Sequence, residues 1–337
     1  MAEFVIGIGT SHGPQLKVTP DRWDQRGRFD RASRTLVYRG AEYDFDALAR
    51  VRPSFAGQNG ARARDTAYRA CQRALDRLGE LVAAASPDVL LIVSSDHKEV
   101  YGDELLAPFA VYWGESVEHL PFTEADLAAM APGLAESAVH DVPAEPITRP
   151  CHPELALHLI ESLAGEGFDV AAARHLPPGR YRNHGIPHGW GYIYQRILGE
   201  RDATPFVPIF VNTFFEPNPP SARRCHDLGR ALGRAVQGAA GGLRVGIVAS
   251  GGLSHFVIEE DLDRRFLHAL ADQDADYLRS MDAARLRSGT SELRSWITVS
   301  GALEGRGLRP ELVGYQPCYR TEAGTGNAMG FFAWTSS

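Results

Sequence analysis

The chain has 337 residues, of which 44% are hydrophobic and 23% are charged, and its formal net charge is −7. These proportions are typical of a globular protein with a large core, and they exclude collagen, coiled coil and extended disorder. Because the net charge is negative and no block of lysine or arginine occurs, we do not expect a surface that follows nucleic-acid phosphates.

The four cysteines lie far apart in the sequence, and none forms a C-x-x-C pair. Structural zinc and a disulfide scaffold are therefore not expected. The longest apolar stretches are much shorter than the roughly 20 residues that a membrane helix needs. The first residues are typical of a strand rather than of a signal peptide. These features predict a cytoplasmic protein without a membrane partner.

Apolar runs and helical periodicities alternate along the chain. This alternation predicts an α/β fold, with a central mixed or parallel sheet flanked by helices and a ligand crevice at the carboxyl ends of the strands. We expect one domain over 1–337, in which the polar, weakly periodic segment 17–64 forms a lid or insertion with a short helix or two. The predicted strands are 4–9, 89–93, 108–111, 168–173, 206–212 and 243–249, and the predicted helices are 61–85, 153–163, 188–198 and 222–237.

Histidines follow three of the predicted strands. His12 comes after the first strand, His97 after the second and His255 after the last. Because ligands bind outside the carboxyl ends of the strands in open α/β sheets, these side chains are expected to converge on one crevice. A glycine- and proline-rich loop adds His184 and His188. A metal or substrate role is one interpretation of this set, and ordinary structural histidines are the other.

Three further motifs are weaker. The segment Gly7-Ile-Gly9-Thr-Ser-His12 begins like a dinucleotide fingerprint, but His12 stands where the third glycine belongs. The segment 151–158 lacks the spacing of a zinc-binding H-E-x-x-H helix, and an amphipathic helix start is the better interpretation. The serines of 250–254 do not form the G-x-S-x-G turn of a nucleophilic serine.

Several motifs in a shared order carry a family resemblance. They are GIGTSHGPQL at 7–16, VLLIVSSDH at 89–97, APFAVYWGES at 107–116, CHPELALHLIESL at 151–163, PHGWGYIYQRI at 187–197, VPIFVNTFFEPNPPSARRCHDLG at 207–229, VGIVASGGLSHF at 245–256, SELRSWITVSGAL at 291–303 and GTGNAMGFFAW at 324–334. Together they resemble the class III extradiol ring-cleavage dioxygenases, the family of the protocatechuate 4,5-dioxygenase catalytic subunit. Within that family the chain looks most like the single-chain enzymes that act on gallate and 3-O-methylgallate.

The resemblance implies a non-haem Fe(II) centre. Carried over by motif, its ligands are His12, His97 and Glu292. Two histidines and one carboxylate on one face of the ion leave open positions for substrate and O₂. The resemblance also implies a single catalytic domain that opens the ring of a catechol-type substrate by inserting both atoms of O₂, and it suggests a homodimer.

The same mapping assigns roles to other histidines. It makes His188 the catalytic acid and base and His255 a second active-site histidine near the bound diol, with His184 as a rival of His188. A carboxylated diol would also need a cation or an amide to hold its carboxylate. The candidates for that role and for other substrate contacts are Lys98, Arg182, His184, Thr325 and Asn327.

Two other functions are compatible with the same residues. Members of this superfamily can lack oxygenase chemistry, so a non-enzymatic metal- or peptide-binding protein is one alternative. A zinc-dependent hydrolase is another, because imidazole and carboxylate also bind Zn²⁺.

Overall fold

A nine-stranded mixed sheet forms the centre of the computed structural model, which describes residues 1–131, 133–177 and 185–336. Helices cover both faces of this sheet, so the prediction of an α/β fold with a mixed sheet is confirmed. The strands are β1 (Glu3–Thr10), β2 (Leu36–Tyr38), β3 (Ala41–Tyr43), β4 (Val89–Ser94), β5 (Phe109–Tyr112), β6 (Ser116–His119), β7 (Ile147–Pro150), β8 (Ala171–Ala173), β9 (Phe206–Val211), β10 (Arg244–Ser250), β11 (His255–Val257), β12 (Arg309–Tyr319) and β13 (Thr325–Thr335).

The strand order of the large sheet is β11-β13-β1-β10-β4-β9-β5-β8, and β12 pairs with β13. The four central neighbours β1, β10, β4 and β9 run parallel to one another. In contrast, β13 is antiparallel to β1 and β5 is antiparallel to β9. The loops after β1, β10 and β4 consequently leave the sheet side by side at one edge.

Helices pack on both faces because the central strands alternate their apolar side chains. On β4, Leu91 faces a core that also contains Leu232 and Trp296, while Leu90 faces a second core with Leu78. Among the described residues, no helix is both long and apolar enough to cross a membrane. The helices are α1 (Trp23–Ala32), α2 (Phe45–Val51), α3 (Ala61–Ala85), α4 (Glu124–Ala129), α5 (Ala135–Ala138), α6 (Pro153–Gly165), α7 (His188–Tyr192), α8 (Ala222–Gly238), α9 (Glu260–Ala271), α10 (Ala275–Ser280) and α11 (Leu293–Leu303).

Segment 17–64 contains more structure than the sequence predicts. The helices α1 and α2 agree with the expected short helices, and the hairpin β2–β3 was not predicted. Leu36, Phe45 and Leu48 from this segment pack with Val257 and Ala323 beside the large sheet. The segment is therefore anchored by its own small apolar core.

Further regions differ from the predictions. The predicted strand 168–173 is paired only over its last three residues, and the predicted helix 188–198 becomes α-helical for one turn and π-helical over 193–198. The long strands β12 and β13 were not predicted. Ten of the eleven residues of β13 are buried, so the strand lacks the alternation of polar and apolar residues that identifies a half-buried strand.

Candidate metal centre and active site

His12 is held in one orientation at the end of β1. Its Nδ1 lies 2.9 Å from the Ser250 hydroxyl, and that hydroxyl donates to the Gly189 carbonyl at 2.6 Å. Because the hydroxyl proton is used in the second bond, Ser250 accepts from His12 Nδ1–H, and the lone pair of His12 lies on Nε2. Burial lowers the pKa of His12 to about 3, so the ring is neutral, as a metal ligand must be.

His97 lies just beyond β4 in a backbone conformation that residues other than glycine rarely adopt. Its φ is 53° and that of Lys98 is 57°. Residues in this left-handed region cost roughly 1–3 kcal/mol each and are common at functional sites. The preceding Asp96 carboxylate accepts from the backbone N–H groups of Val100 and Tyr101, each at 3.0 Å, and so holds the turn.

The Nε2 atom of His97 is buried and has no hydrogen-bond partner among the described residues. It lies 2.9 Å from Glu292 Oε1, without hydrogen-bond geometry. Burial opposes a charge on this ring, but the Glu292 carboxylate outweighs burial and raises the pKa of His97. The atom is therefore turned toward negative charge, where a cation fits.

Glu292 ends a 3-10 turn that leads directly into α11. Its Oε1 lies 3.7 Å from His12 Nε2, and its Oε2 accepts from the Gly252 N–H. Burial opposes its ionisation, but the surrounding histidines, His12 foremost, hold the pKa of Glu292 well below its usual range. The carboxylate is consequently ionised although it is buried.

These three side chains fit a divalent cation. Metal–ligand bonds of about 2.1 Å place neighbouring ligand atoms roughly 3 Å apart, and the separations of 2.9 and 3.7 Å from Glu292 Oε1 are close to that value. His188 offers a second arrangement, because its nitrogen can lie within 4.8 Å of those of His12 and His97. The centre can thus present either Glu292 or His188 beside the two histidines.

His188 is tied to the half-buried carboxylate of Glu99, which favours a different role. Its Nδ1 contacts Glu99 Oε1, and its backbone N–H donates to Glu99 Oε2 at 2.9 Å. Burial opposes ionisation of Glu99, but His188 lowers the pKa of Glu99 to about 2. Glu99 is thus a carboxylate that accepts from His188 Nδ1–H. In the neutral ring this bond leaves Nε2 without a proton, which is where a general base would accept one.

His255 is locked in place by its neighbours. Its Nδ1 donates to the Leu253 carbonyl at 2.8 Å, so its Nε2 carries the lone pair and lies 3.9 Å from Glu292 Oε2. Burial lowers the pKa of His255. Gly289 packs against the ring, where a Cβ would lie only 2.0 Å from a ring carbon. The side chain can therefore accept a hydrogen bond at a fixed position.

A cavity of about 380 Å³ opens onto this centre. Its volume lies within the roughly 300–1,000 Å³ of small-molecule sites. Two segments outside the sheet help to enclose it: 17–64 contributes Lys17 and Arg26, and the region of α4 and α5 contributes part of an apolar wall. That wall consists of Phe122, Met130, Leu134, Ala138 and Phe256.

The structure brings together five of the residues selected from the sequence and separates others. The five that surround the centre are His12, His97, His188, His255 and Glu292. Asn327 also lines the cavity. Thr325 does not line it, because its hydroxyl is buried and donates to Asp30 at 2.6 Å. The metal-binding and catalytic roles assigned to the five residues, and the substrate contacts assigned to Asn327 and Thr325, stay predictions.

Three substrate candidates lie elsewhere. Lys98 pairs with Asp103 at 2.6 Å and lines a separate, smaller cavity. Arg182 and His184 lie outside the described residues. Lys98 therefore does not face the metal centre, and the structure gives no placement for the other two.

Sequence reasoning missed the residues that support the histidines. Glu99 stands two residues after His97, and Ser250 ends β10 in the motif that contains His255. Both are polar residues at a strand end, which is the signal that selected the histidines. Lys17 and Asp141, which form a buried ion pair of 2.6 Å in the cavity wall, carry no such signal because they are 124 residues apart.

The fold and the site define a class of α/β proteins with histidines and a carboxylate at a sheet edge that could hold a metal ion. A family model described as the catalytic LigB subunit of aromatic ring-opening dioxygenase matches residues 53–326. The chain therefore belongs to this family, and the resemblance stated from the sequence motifs is confirmed.

Individual relatives are more distant. The chain is similar to a 2,3-dihydroxyphenylpropionate/2,3-dihydroxicinnamic acid 1,2-dioxygenase of Rhodococcus sp, with 31% identity over 55% of this chain and 49% of that protein. It is similar to a gallate dioxygenase of Pseudomonas putida, with 30% identity over 49% of this chain and 50% of that protein. The chain thus spans about half the length of the curated relatives it matches. The crystal structure of uncharacterized protein JW3007 from Escherichia coli K12 superposes with a TM-score of 0.44 and 14% identity, over 98% of this chain and 99% of that one.

Proposed function

We propose that this chain is a non-haem Fe(II)-dependent extradiol dioxygenase, which inserts both atoms of O₂ into a catechol-type ring and opens it. The observation that carries the proposal is the group formed by His12, His97 and Glu292, in which a buried imidazole nitrogen has no hydrogen-bond partner among the described residues. Two histidines and one carboxylate are the ligand set of non-haem Fe(II) oxygenases. Family membership and the names of the two relatives support the same reaction class.

The expected substrate is a small carboxylated diol such as gallate or 3-O-methylgallate. A ferrous ion held by His12, His97 and Glu292 would supply open coordination positions for the diol and O₂, together with Lewis-acid and redox chemistry. His188 Nε2 then accepts a proton from a diol hydroxyl, and Glu99 stabilises the positive charge that results on the ring. His255 Nε2 accepts a hydrogen bond near the second hydroxyl and keeps the diol in register.

The proton on His188 is available for a later step. Returning it to a substrate oxygen completes the general acid–base cycle with one residue. The apolar wall formed by Phe122, Met130, Leu134, Ala138 and Phe256 keeps bulk water away from this exchange. Exclusion of water also strengthens the electrostatic effect of Glu99 on His188.

Iron binding tests the ligand assignment. His12→Ala, His97→Ala and Glu292→Ala are expected to lose stoichiometric iron after anaerobic reconstitution with Fe(II), as measured by elemental analysis. The control is His175→Ala, because this histidine is exposed and is not among the residues that line the cavity. Full iron content in all three ligand variants would overturn the assignment.

Oxygen uptake tests the reaction. The Fe(II)-loaded protein is expected to consume one O₂ per diol opened and to form a yellow product from members of a catechol panel, whereas the Zn(II)-loaded protein is expected to be inactive. Oxygen uptake by neither form would favour the non-enzymatic binding protein. Hydrolase activity of the zinc form alone would favour the zinc-dependent hydrolase.

A further inference from the structure

Two cations of segment 17–64 line the cavity, and their surroundings differ. Lys17 Nζ lies 2.6 and 2.7 Å from the two carboxylate oxygens of Asp141, so its charge is neutralised. Arg26 lies on α1 and, among the described residues, its side chain forms no hydrogen bond or ion pair. Its Nε atom is buried without a partner. Arg26 therefore lines the cavity with guanidinium donors that no described residue uses.

Asp30 is the carboxylate whose charge raises the pKa of Arg26, and its oxygens already accept hydrogen bonds from other residues. Asp30 Oδ2 accepts from Arg320 Nε at 2.8 Å, and its Oδ1 accepts from Arg320 Nη2 at 3.2 Å. Asp30 Oδ2 also accepts the Thr325 hydroxyl at 2.6 Å. Burial, and after it the charge of Arg320, lower the pKa of Arg26, but a guanidinium stays protonated in proteins. Among the residues that the structure describes, Arg26 is thus a charge without a counter-ion.

The acids in the cavity wall are also engaged. Glu99 accepts from His188, Asp141 pairs with Lys17, and Glu292 faces the metal ligands. A partly buried cation without an anion is unfavourable. Such an arrangement is explained when a bound ligand supplies the negative charge.

A neutral donor accompanies this cation in the cavity wall. Asn327 Oδ1 accepts from Arg320 Nη1 at 2.8 Å, which directs the Nδ2 donors away from Arg320. That amide nitrogen faces Gly13, where a Cβ would lie 3.0 Å from it. Because Gly13 has no side chain, the amide remains open to the cavity that both residues line.

We propose that Arg26 is the counter-ion of a carboxylate on the aromatic ring of the substrate, with the Asn327 amide as a second donor. This inference rests on the proposed function, since it names the anionic group of the diol that the metal centre would open. A guanidinium binds a carboxylate through two parallel hydrogen bonds, which selects carboxylates over neutral substituents. Arg26 lies outside residues 53–326, so family membership does not supply this contact.

Ligand binding to the Fe(II)-loaded protein without oxygen tests the proposal. The probes are 3,4-dihydroxybenzoate and the neutral 4-methylcatechol, with affinities measured by calorimetry. Hydrogen bonds to charged groups contribute about 1.5–3 kcal/mol, so Arg26→Gln is expected to weaken 3,4-dihydroxybenzoate binding about 10- to 100-fold. Binding of 4-methylcatechol is expected to change less than about twofold. Arg26→Lys keeps the charge but not the paired donors and is expected to recover part of the loss.

Arg28→Gln is the matched control, because Arg28 lies on the same helix but is exposed and outside the cavity lining. It is expected to leave both affinities unchanged. Removal of a cation that has no counter-ion is expected to leave the melting temperature of Arg26→Gln equal to or above that of the parent chain. Equal weakening of both probes, or none, would overturn the proposal, as would an equal effect of Arg28→Gln.

A second pair of probes separates this inference from the proposed function. Benzoate and benzamide lack the diol and cannot be opened by an extradiol enzyme. If no diol is opened, but benzoate binds better than benzamide and loses that advantage in Arg26→Gln, Arg26 is an anion site and the dioxygenase proposal fails. If diols are opened and neither carboxylate probe depends on Arg26, the dioxygenase proposal stands and this inference fails.

Discussion

Two buried polar groups in this molecule show opposite ways of placing charge in a core. The candidate metal centre consists of His12, His97 and Glu292, and the arginine cluster consists of Arg320, Asp30, Asn327 and Thr325. In the arginine cluster Arg320 donates to Asp30 and Asn327, and Thr325 also donates to Asp30. In the metal centre His97 Nε2 is buried without a hydrogen-bond partner among the described residues.

This difference distinguishes buried polar groups that stabilise the fold from buried polar groups that bind a ligand. A buried ion pair whose donors and acceptors are satisfied fixes the chain, here by joining α1 to the turn between β12 and β13. A buried nitrogen that has no partner is unfavourable until a ligand arrives. The arginine cluster should therefore affect stability, and the metal centre should affect binding and catalysis.

The largest expected effect is on turnover, at a residue beside the metal centre. His188→Ala removes the proton acceptor that Glu99 supports, and loss of positioned acid–base catalysis typically lowers rates about 10²- to 10⁴-fold. Iron content should stay stoichiometric. Oxygen-electrode kinetics and elemental analysis on the same sample measure both quantities. Loss of iron in this variant would instead make His188 a ligand beside His12 and His97.

Breaking the arginine cluster should lower the free energy of unfolding. Asp30→Ala leaves the Arg320 guanidinium buried without its ion-pair partner, and breaking a buried pair costs about 3–5 kcal/mol. Urea unfolding measures the change. The matched control is Arg31→Ala, which breaks the half-exposed pair Arg31–Glu322 between the same two segments and should cost about 0–1 kcal/mol. Similar losses in both variants would erase the contrast.

Asp263 is an intermediate case, because it is buried and hydrogen-bonded but forms no ion pair with any residue that the structure describes. Ser254 N–H and hydroxyl donate to its two oxygens at 2.8 and 2.6 Å, and Tyr315 donates to Oδ2 at 3.0 Å. Burial foremost raises the pKa of Asp263 to about 7. Since the folded state holds a proton that the unfolded state releases above about pH 4, folding stability falls as the pH rises from about 4 to 7 and is then constant with respect to this group.

Asp263→Asn removes that titration while keeping an acceptor and two donors. Its stability relative to the parent chain is expected to rise between pH 5 and pH 8 by roughly 1–4 kcal/mol. Thermal unfolding at both pH values measures it. If the stability difference between Asp263→Asn and the parent chain is the same at pH 5 and pH 8, Asp263 is ionised throughout that range.

The smallest effect concerns the orientation of a ligand. Ser250→Ala removes the acceptor that holds His12 Nδ1–H, and loss of such supporting bonds typically lowers metal affinity about 10- to 100-fold. Competition with a chelator measures the change. Ser94→Ala is the control, because Ser94 donates to the Ser250 carbonyl without contacting His12 Nδ1. Equal affinities in both variants would show that packing alone orients His12.

The pattern of apolar residues within a short segment predicted those helices and strands whose burial follows a simple period. The stripe of apolar residues in 61–85 predicted α3 with its observed ends, because a helix buries one face at a fixed period. The apolar run of 89–93 predicted β4 for a similar reason. In contrast, β13 and its hairpin partner β12 escaped prediction because β13 is buried on both sides.

The site was predictable where a strand ends in a histidine. His12 and His97 were selected by that rule, and the parallel order of β1, β10 and β4 brings them together. Glu292 carries no comparable signal, since it ends a 3-10 turn and was chosen only through the family resemblance. Arg26 could not be selected at all, because what distinguishes it is that no described residue supplies a counter-ion, which only tertiary contacts reveal.

The positions of the three candidate ligands along the chain have a consequence for assembly. One follows the first strand, one follows the fourth, and the third stands immediately before the last helix. Neither half of the polypeptide contains the full set, so a fragment or a partly synthesised chain that lacks residue 12, 97 or 292 cannot bring all three side chains to one ion. Iron binding in a refolding experiment is therefore expected to follow completion of the sheet. The time at which iron binds then reports the last stage of folding.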